Sequence, residues 1–236
     1  MTVDRPGKLN ILDSSALTEM QAALAGIAGD STARALVLLG AGDRAWIGGA
    51  DINEMAALDA GSARAFITRL HRVCQALREL PVPVIASIDG FCLGAGLEIA
   101  ASCDLRVASH NSRFGMPEVQ VGIPSVIEGA LLPRLIGPGR ARDLVMTGRV
   151  IDAAQALAWG LVESTTAPEA LDILVEERLA MILDAGPHAV RAQKSLCRQW
   201  DELPLGEAID AGDLYRPNII QRFRQHIIKP INFSQD

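Results

Sequence analysis

The sequence predicts an α/β protein, and three observations support that class. Strand-like apolar runs alternate with segments whose apolar residues repeat at helical spacing. Two of the predicted strands are each followed by a glycine-rich turn. At 236 residues, the chain is long enough to bury a core without disulfides or a structural metal. We therefore expect βαβα order in the first part of the chain and a mainly helical region after it.

The first predicted elements lie before residue 80. Residues 9–12 (LNIL) predict the end of a strand, and residues 34–39 (RALVLL) predict a buried strand. A glycine-rich stretch follows over residues 40–51. Apolar residues at helical spacing predict one helix before this strand and one after it: Leu17, Met20, Leu24 and Ile27 for the first, Phe66, Leu70, Val73 and Leu77 for the second.

The same order then repeats. Residues 83–89 (PVIASID) predict a strand, residues 90–96 a glycine-rich turn, residues 97–102 the start of a buried helix, and residues 104–108 (DLRVA) a further strand. From about residue 126 the pattern is mainly helical, with Asp152 as a predicted N-cap. We place a boundary near residue 165, between a core of residues 1–165 and a helical region of residues 166–236.

Composition and charge restrict the class of function. The net charge is −6 and the basic residues form no run, which argues against a nucleic-acid partner. No stretch of about 18 uninterrupted apolar residues or signal-peptide pattern is present, so we expect no membrane association. The cysteines have apolar neighbours and no CxxC spacing, as free thiols of a cytoplasmic protein do: Cys74, Cys92, Cys103 and Cys197.

The first motif that could take part in binding or catalysis is residues 46–52 (WIGGADI). Gly48 and Gly49 directly follow a predicted strand, where glycine allows unusual backbone conformations and the close approach of a ligand. Such a turn commonly leaves amide N–H groups free. Taken alone, the segment favours an ordinary turn before a helix that Asp51 caps.

The second motif is residues 90–98 (GFCLGAGLE), where a strand leads through glycines into a helix. Unpaired amides and the positive end of the helix dipole meet there, and this favours an anion or oxyanion. A dinucleotide fingerprint would need glycine where Ile99 stands. The Gly-Lys-Ser/Thr of a P-loop and the G-x-S-x-G of a serine hydrolase are absent.

Glu98 is an acidic residue among apolar neighbours, which predicts a buried carboxyl group. It follows Ala95 by three residues and could reach whatever the amides hold. Burial would raise its pKa towards that of a general acid or base, whereas the helix N-terminus would lower it. The alternative is a first-turn glutamate that the helix dipole alone favours.

Glu118, within residues 114–122 (FGMPEVQVG), is the candidate partner of Glu98. Pro117 and the flanking glycines predict a fixed loop around it, although a solvated loop acid is the alternative. We predict no metal site, because the histidines lack ligand spacing: His71, His110, His188 and His226.

Taken in order, WIGGADI, GFCLGAGLEIA and FGMPE resemble three segments of the crotonase (enoyl-CoA hydratase/isomerase) superfamily, and the similarity spans residues 3 to 200. The resemblance implies a crotonase-type spiral of ββα units with a C-terminal helical region for trimerisation. It implies a homotrimer or a dimer of trimers, an acyl-CoA substrate, and coenzyme A as part of that substrate without a bound cofactor.

The resemblance also assigns roles to residues. The N–H groups of Ala50 and Ala95 form an oxyanion hole, Glu98 is the main base for water, and Glu118 is the proton donor. Further residues line the substrate and CoA site: Gly48, Gly49, Asp51, Ile52 and Gly94. Asn53 stands where many family members carry lysine.

The presence of both glutamates favours an enoyl-CoA hydratase, which adds water to an α,β-unsaturated thioester. An enoyl-CoA isomerase, a C–C lyase or an acyl-CoA hydrolase would use the same oxyanion hole and is the alternative. A catalytically idle acyl-CoA-binding subunit is a further alternative from a different class.

Overall fold

The computed structural model describes residues 1–214. Residues 1–191 form one compact unit, and a second unit begins at residue 192. The boundary near residue 165 stays a prediction. The described strands are β1 (Thr2–Val3), β2 (Leu36–Gly40), β3 (Ala45–Ile47), β4 (Val84–Ile88), β5 (Phe91–Leu93), β6 (Leu105–Ser109), β7 (Arg113–Gly115), β8 (Val150–Asp152) and β9 (Ser164–Thr166).

The described α-helices are α1 (Ser14–Gly29), α2 (Ile52–Ala56), α3 (Ala60–Glu79), α4 (Ala95–Ala101), α5 (Leu132–Ile136), α6 (Pro138–Thr147), α7 (Ala153–Trp159), α8 (Leu171–Asp184), α9 (Pro187–Glu202) and α10 (Leu205–Asp210). Short 3-10 helices lie at Pro6–Lys8, Pro117–Val121, Gly129–Leu131, Pro168–Ala170 and Ala211–Leu214. The predicted helices around residues 17–27 and 66–77 are confirmed, and Asp152 caps α7 as predicted.

Two sheets organise the fold. One is parallel throughout, in the order β1-β2-β4-β6-β9, and the other has the order β3-β5-β7-β8, in which only β8 is antiparallel to its neighbour. The chain passes from the first sheet to the second at β2–β3, β4–β5 and β6–β7, and helices follow the first two of these pairs. This is the predicted α/β class, built as repeated ββα units.

The core lies where helices cover these sheets. The apolar faces of α1 and α3 pack on each other and bury the residues that predicted these helices, among them Leu17, Leu24, Phe66 and Leu70. All seven residues of α4 are buried, including Glu98. Because α4 has no solvent-facing side, every side chain on it is held in place by packing.

Arg106 fixes the C-terminal end of α4. Only 4% of this residue is exposed, and its Nε donates to the Leu161 carbonyl at 2.8 Å while its Nη1 donates to the Cys103 carbonyl at 2.8 Å. Its Nη2 also pairs with the Glu163 carboxylate. The C-terminal end of the helix that carries Glu98 is therefore anchored to the segment that contains Leu161 and Glu163.

The strand predicted at residues 9–12 is wrong. Leu9 and Asn10 have φ values of 55° and 52°, which lie in the left-handed region. The buried Asn10 side chain explains this turn, because its Nδ2 donates to the carbonyls of Ala41 at 2.9 Å and Ala45 at 2.7 Å. Asparagine tolerates that conformation better than most residues. Only Leu12 forms a β-bridge, to Ala50.

Strands β8 and β9 were also missed, since the sequence predicted a mainly helical region from about residue 126. Each strand has three residues, which is too short for an alternating pattern to stand out. Their pairing partners, β7 and β6, are distant in sequence. Tertiary pairing, not local propensity, therefore forms these two strands.

Candidate active site

Three segments meet at the carboxyl ends of β3, β5 and β7. Ile47 pairs with Cys92, and Leu93 pairs with Gly115. The Gly94 amide continues the contact by donating to the Gly115 carbonyl at 2.9 Å. Since the three strands are parallel, the residues after each strand come together at one edge, where open α/β sheets commonly bind ligands.

Two glycines allow this close approach. A Cβ at Gly96 would lie 2.2 Å from the Ile47 carbonyl oxygen, so only glycine fits between α4 and β3. Gly94 has a φ of 51°, and a Cβ there would lie 2.6 Å from Oε1 of Glu118. The glycines thus bring α4 against the first segment and leave room for the Glu118 carboxyl group beside the start of α4.

The amides of Ala50 and Ala95 are free of hydrogen bonds to the described residues. The bonds from Leu12 N to Gly49 O and from Asp51 N to Leu12 O pass on either side of Ala50 and leave its own N–H unused. Ala95 is the first residue of α4, where an N–H has no intrahelical acceptor. Both residues line the same cavity, so two donors are available to a bound oxygen atom.

Asp51 also caps α2, because its side chain accepts hydrogen bonds from the amides of Asn53 at 2.9 Å and Glu54 at 3.2 Å. The two interpretations of the WIGGADI segment are therefore compatible. The segment is a capped turn, and it also presents a free amide to the cavity.

The cavity has a volume of about 410 Å³ and walls that are mainly apolar. Phe66, Ile67 and Leu70 contribute one wall from α3. Among the lining side chains, hydrogen-bonding groups come from Glu98, Glu118 and Ser125. Such a pocket suits a ligand with an apolar chain and a few polar atoms.

Glu98 is 2% exposed. Its Oε1 accepts hydrogen bonds from the amides of Glu128 and Gly129, both at 2.9 Å. Burial, and next the negative charge of Glu118, raise the pKa of Glu98 to about 7, although the two amides act in the opposite direction. The sequence left open whether burial or stabilisation of the charged form would dominate the pKa of Glu98. In the structure burial dominates, so this carboxyl group can gain or lose a proton near neutral pH.

Glu118 lies in the 3-10 helix after β7 and is half-buried. The Ser125 hydroxyl donates to its Oε2 at 3.2 Å. Burial raises the pKa of Glu118 above its ordinary value. Glu98 and Glu118 line the same cavity and interact electrostatically, so the structure brings together the two acids that the sequence singled out.

A second cleft, of about 540 Å³, shares Gly48, Ala50 and Ile52 with the cavity. The other predicted substrate residues divide between the two spaces: Gly49 and Gly94 line the cavity, and Asp51 lines the cleft. Exposed Lys8 and Arg44 also line the cleft. Sequence reasoning missed both cations. Arg44 lies within the glycine-rich stretch of residues 40–51, and Lys8 reaches the cleft because the Gly48 amide donates to the Leu9 carbonyl at 2.9 Å.

Within residues 1–214, no three or more His, Cys, Asp or Glu side chains are grouped as metal ligands would be. None of the helices in that part of the chain is both long enough and apolar enough to cross a membrane.

The model of the family described as enoyl-CoA hydratase/isomerase matches residues 1–215. The chain belongs to this family. The predicted membership in the crotonase superfamily is thereby confirmed, and so is the crotonase-type fold, since a crystal structure of enoyl-CoA hydratase from Bacillus anthracis superimposes with a TM-score of 0.90. That structure is 32% identical and covers 93% of this chain and 86% of its own.

Two named hydratases are similar to this crotonase family member over most of its length. A short-chain-enoyl-CoA hydratase of Clostridium acetobutylicum is 41% identical over 195 residues, which are 82% of this chain and 75% of the relative. A crotonyl-CoA hydratase of Syntrophomonas wolfei is 36% identical over 208 residues, which are 88% of this chain and 80% of the relative.

Sequence reasoning also missed three residues behind Glu98. Glu128 is 4% exposed, and its carboxylate contacts His71 and Arg78 on α3. The signal was present in residues 125–132 (SVIEGALL), where Glu128 is an acid among apolar neighbours, as Glu98 is. Its partners, 57 and 50 residues away, could not be identified without the fold.

Proposed function

We propose that this crotonase family member is an enoyl-CoA hydratase, which performs syn addition of water across the 2,3 double bond of an α,β-unsaturated acyl-CoA thioester. The observation that carries the proposal is the pair Glu98 and Glu118 in one apolar cavity beside the free amides of Ala50 and Ala95. The similarity to a short-chain-enoyl-CoA hydratase and a crotonyl-CoA hydratase supports the same reaction.

In this proposal the two amides bind the thioester oxygen. When water adds to C3, the electrons of the double bond move to the thioester and place negative charge on that oxygen. The N–H groups of Ala50 and Ala95 stabilise the enolate, and a donor of this kind typically contributes about 10²–10³ in rate. The apolar walls exclude water and so strengthen these hydrogen bonds.

The glutamates supply and remove protons. Charged Glu98 takes a proton from the water molecule while the water oxygen bonds to C3. Protonated Glu118 gives a proton to C2. Burial raises the pKa of both carboxyl groups, and the negative charge of Glu118 raises that of Glu98 further, so the pair retains a proton more readily than two exposed carboxyl groups would. The initial state returns when the proton that Glu98 took from water passes to Glu118, either directly or by release to solvent and uptake from it.

The cleft beside the cavity suits the remainder of coenzyme A. Lys8 and Arg44 can bind its phosphates, although Asn53 offers no charge where many relatives have lysine. Gly48, Gly49, Asp51, Ile52 and Gly94 would line the path of the substrate between cleft and cavity. Coenzyme A is then part of the substrate, and the proposed reaction needs no other cofactor.

Incubation with crotonyl-CoA tests the proposal. We expect loss of the absorbance of the conjugated thioester and formation of 3-hydroxybutyryl-CoA, because C2 and C3 lose their double bond. Saturated butyryl-CoA is the control and should give no change. No hydration of any short- or medium-chain 2-enoyl-CoA would contradict the proposal. Release of free CoA would indicate a hydrolase, and calorimetric binding without turnover would indicate an idle subunit.

We also propose a homotrimer or dimer of trimers in the cytoplasm, with residues 166–236 as the trimerisation region, of which residues 215–236 lie outside the described part. Exposed apolar side chains such as Met146, Val150 and Leu157 would be covered by assembly. Sedimentation at the mass of three or six chains is expected, and a monomer at micromolar concentration would contradict the proposal.

A further inference from the structure

The side-chain carboxylate of Glu128 contacts two residues of helix α3. Nδ1 of His71 lies 3.0 and 3.1 Å from the two carboxylate oxygens, and Nη2 of Arg78 donates to Oε1 at 3.1 Å. A carboxylate only accepts, so Nδ1 of His71 carries the hydrogen in this contact. His71 and Arg78 are seven residues apart, which is about two helical turns and places them on one face.

The main chain at Glu128 and Gly129 binds the Glu98 carboxylate. The amides of Glu128 and Gly129 both donate to Oε1 of Glu98 at 2.9 Å. Three residues earlier, the Ser125 hydroxyl donates to Oε2 of Glu118. Residues 125–129 thus contact both carboxyl groups of the site, and we call them the carboxylate loop.

The carboxylate loop depends on side-chain contacts for its position. Residues 123–128 belong to neither helix nor strand, and their backbone hydrogen bonds lie at the two ends of the range, from Ile123 N to Glu118 O and from Leu131 N to Glu128 O. Residues 121–124 and Val126 are exposed, whereas Glu128 is buried. A buried carboxylate with two partners is strongly position-dependent, because moving it away from either partner leaves a charge without compensation.

We propose that Glu128, clamped by His71 and Arg78, is a positioning residue that fixes the carboxylate loop and through it the orientation of Glu98 in the cavity. The proposal rests on the proposed hydratase function. Because α3 also supplies Phe66, Ile67 and Leu70 to the cavity wall, one helix then aligns both the acyl chain and the base.

The charges around Glu98 determine what loss of the clamp does. The groups that face Glu98 are Glu118 after β7, Glu128 in the carboxylate loop and the thiol of Cys74 on α3. Burial raises the pKa of Cys74, which therefore stays uncharged at neutral pH. Without Arg78, the negative charge of Glu128 is less compensated and the two amides are held less firmly. Both changes raise the pKa of Glu98.

Arg78→Met is the test variant, since it keeps the aliphatic chain and removes the cation. We expect kcat for crotonyl-CoA hydration to fall by about 10- to 100-fold with KM within about twofold, as for a misplaced catalytic group. We also expect the acidic limb of the kcat profile to move to higher pH. Arg78→Lys should restore most of kcat and most of the wild-type position of the acidic limb, because it restores the positive charge.

Arg72→Met is the matched control, because Arg72 is an exposed arginine of the same helix. It should leave kcat and the acidic limb at wild-type values. The proposal is overturned when Arg78→Met behaves like this control in both respects, even with a lower melting temperature, or when it raises KM alone. Should Arg78→Met fail to fold, His71→Ala removes the other partner from a half-exposed site and is judged by the same outcomes.

A second readout separates this proposal from the proposed function. The protonated Glu98 carboxyl gives an infrared band that Glu98→Gln removes, and its pH titration needs no turnover. The band should persist to higher pH in Arg78→Met than in the wild type, and an unchanged titration contradicts the positioning role. A wild-type protein without hydratase activity, by contrast, would reject the proposed function alone.

Discussion

Replacing Glu98 with Gln is expected to lower kcat for hydration by about 10²–10⁴, which is the usual contribution of a positioned general base. The amide has almost the same shape, and its oxygen can still accept from the amides of Glu128 and Gly129. What is lost is the ability to take a proton from water. Steady-state kinetics with crotonyl-CoA measure the effect, and full activity of the variant would reject the two-glutamate mechanism.

The same substitution should make the protein more stable above neutral pH. Folding raises the pKa of Glu98 from 4.5 to about 7, so the folded state binds this proton more tightly than the unfolded state. Stability from this group is therefore fully present below about pH 4.5 and is lost as pH rises through about 7. At about pH 8 the free energy of unfolding of the wild type is lower by up to about 3 kcal/mol for this reason. Gln does not ionise, so the variant shows no such decrease.

Urea unfolding of wild type and Glu98→Gln at about pH 8 and pH 4 measures this difference. We expect a higher free energy of unfolding for the variant at the higher pH and little difference at the lower pH. A variant that is less stable than wild type at pH 8 would show that burial does not raise the pKa of Glu98. The catalytic carboxyl group is thus expected to reduce stability at working pH.

Replacing Glu118 with Gln is the second large expected effect, again about 10²–10⁴ in kcat, because the proton for C2 is lost. Its effect on pH dependence has a defined sign. The negative charge of Glu118 raises the pKa of Glu98, so removing it lowers that pKa. The infrared band of the protonated Glu98 carboxyl should therefore disappear at lower pH than in the wild type, opposite to the shift expected for Arg78→Met.

Glu169→Gln is the control for Glu118→Gln, since Glu169 is an exposed acid remote in sequence from the cavity-lining residues. It should retain wild-type kinetics. The Glu98→Gln/Glu118→Gln double variant should cost little more than either single change, because residues that act as a unit are not additive. Fully additive losses, or a Glu98 carboxyl band that persists to higher pH in Glu118→Gln, would contradict a shared site.

Much of the fold could be predicted because local patterns agree with it. The helical spacing of Phe66, Leu70, Val73 and Leu77 predicted α3, and these residues are buried as a face. Glycine turns after strands marked the segments at Ala50 and Ala95, since such turns leave amides free. Strands of three residues and the turn that Asn10 forms escaped prediction, because tertiary hydrogen bonds determine them.

The candidate site was only partly predictable. An acid among apolar residues signalled Glu98, yet its pKa depends on the extent of its burial and then on Glu118, whose position in space a sequence does not give. The same signal at Glu128 was overlooked, and its contacts with His71 and Arg78 bring together residues that are far apart in the chain. Such contacts have no local pattern, so sequence alone could not identify them.

A crystal structure of the protein with bound 3-hydroxybutyryl-CoA tests the central claim most directly. We predict that the thioester oxygen lies about 2.7–3.1 Å from the amide nitrogens of both Ala50 and Ala95. The 3-hydroxyl oxygen should lie between the carboxyl groups of Glu98 and Glu118, within hydrogen-bonding distance of each. A thioester oxygen bound elsewhere, or a hydroxyl in contact with neither glutamate, would contradict the account.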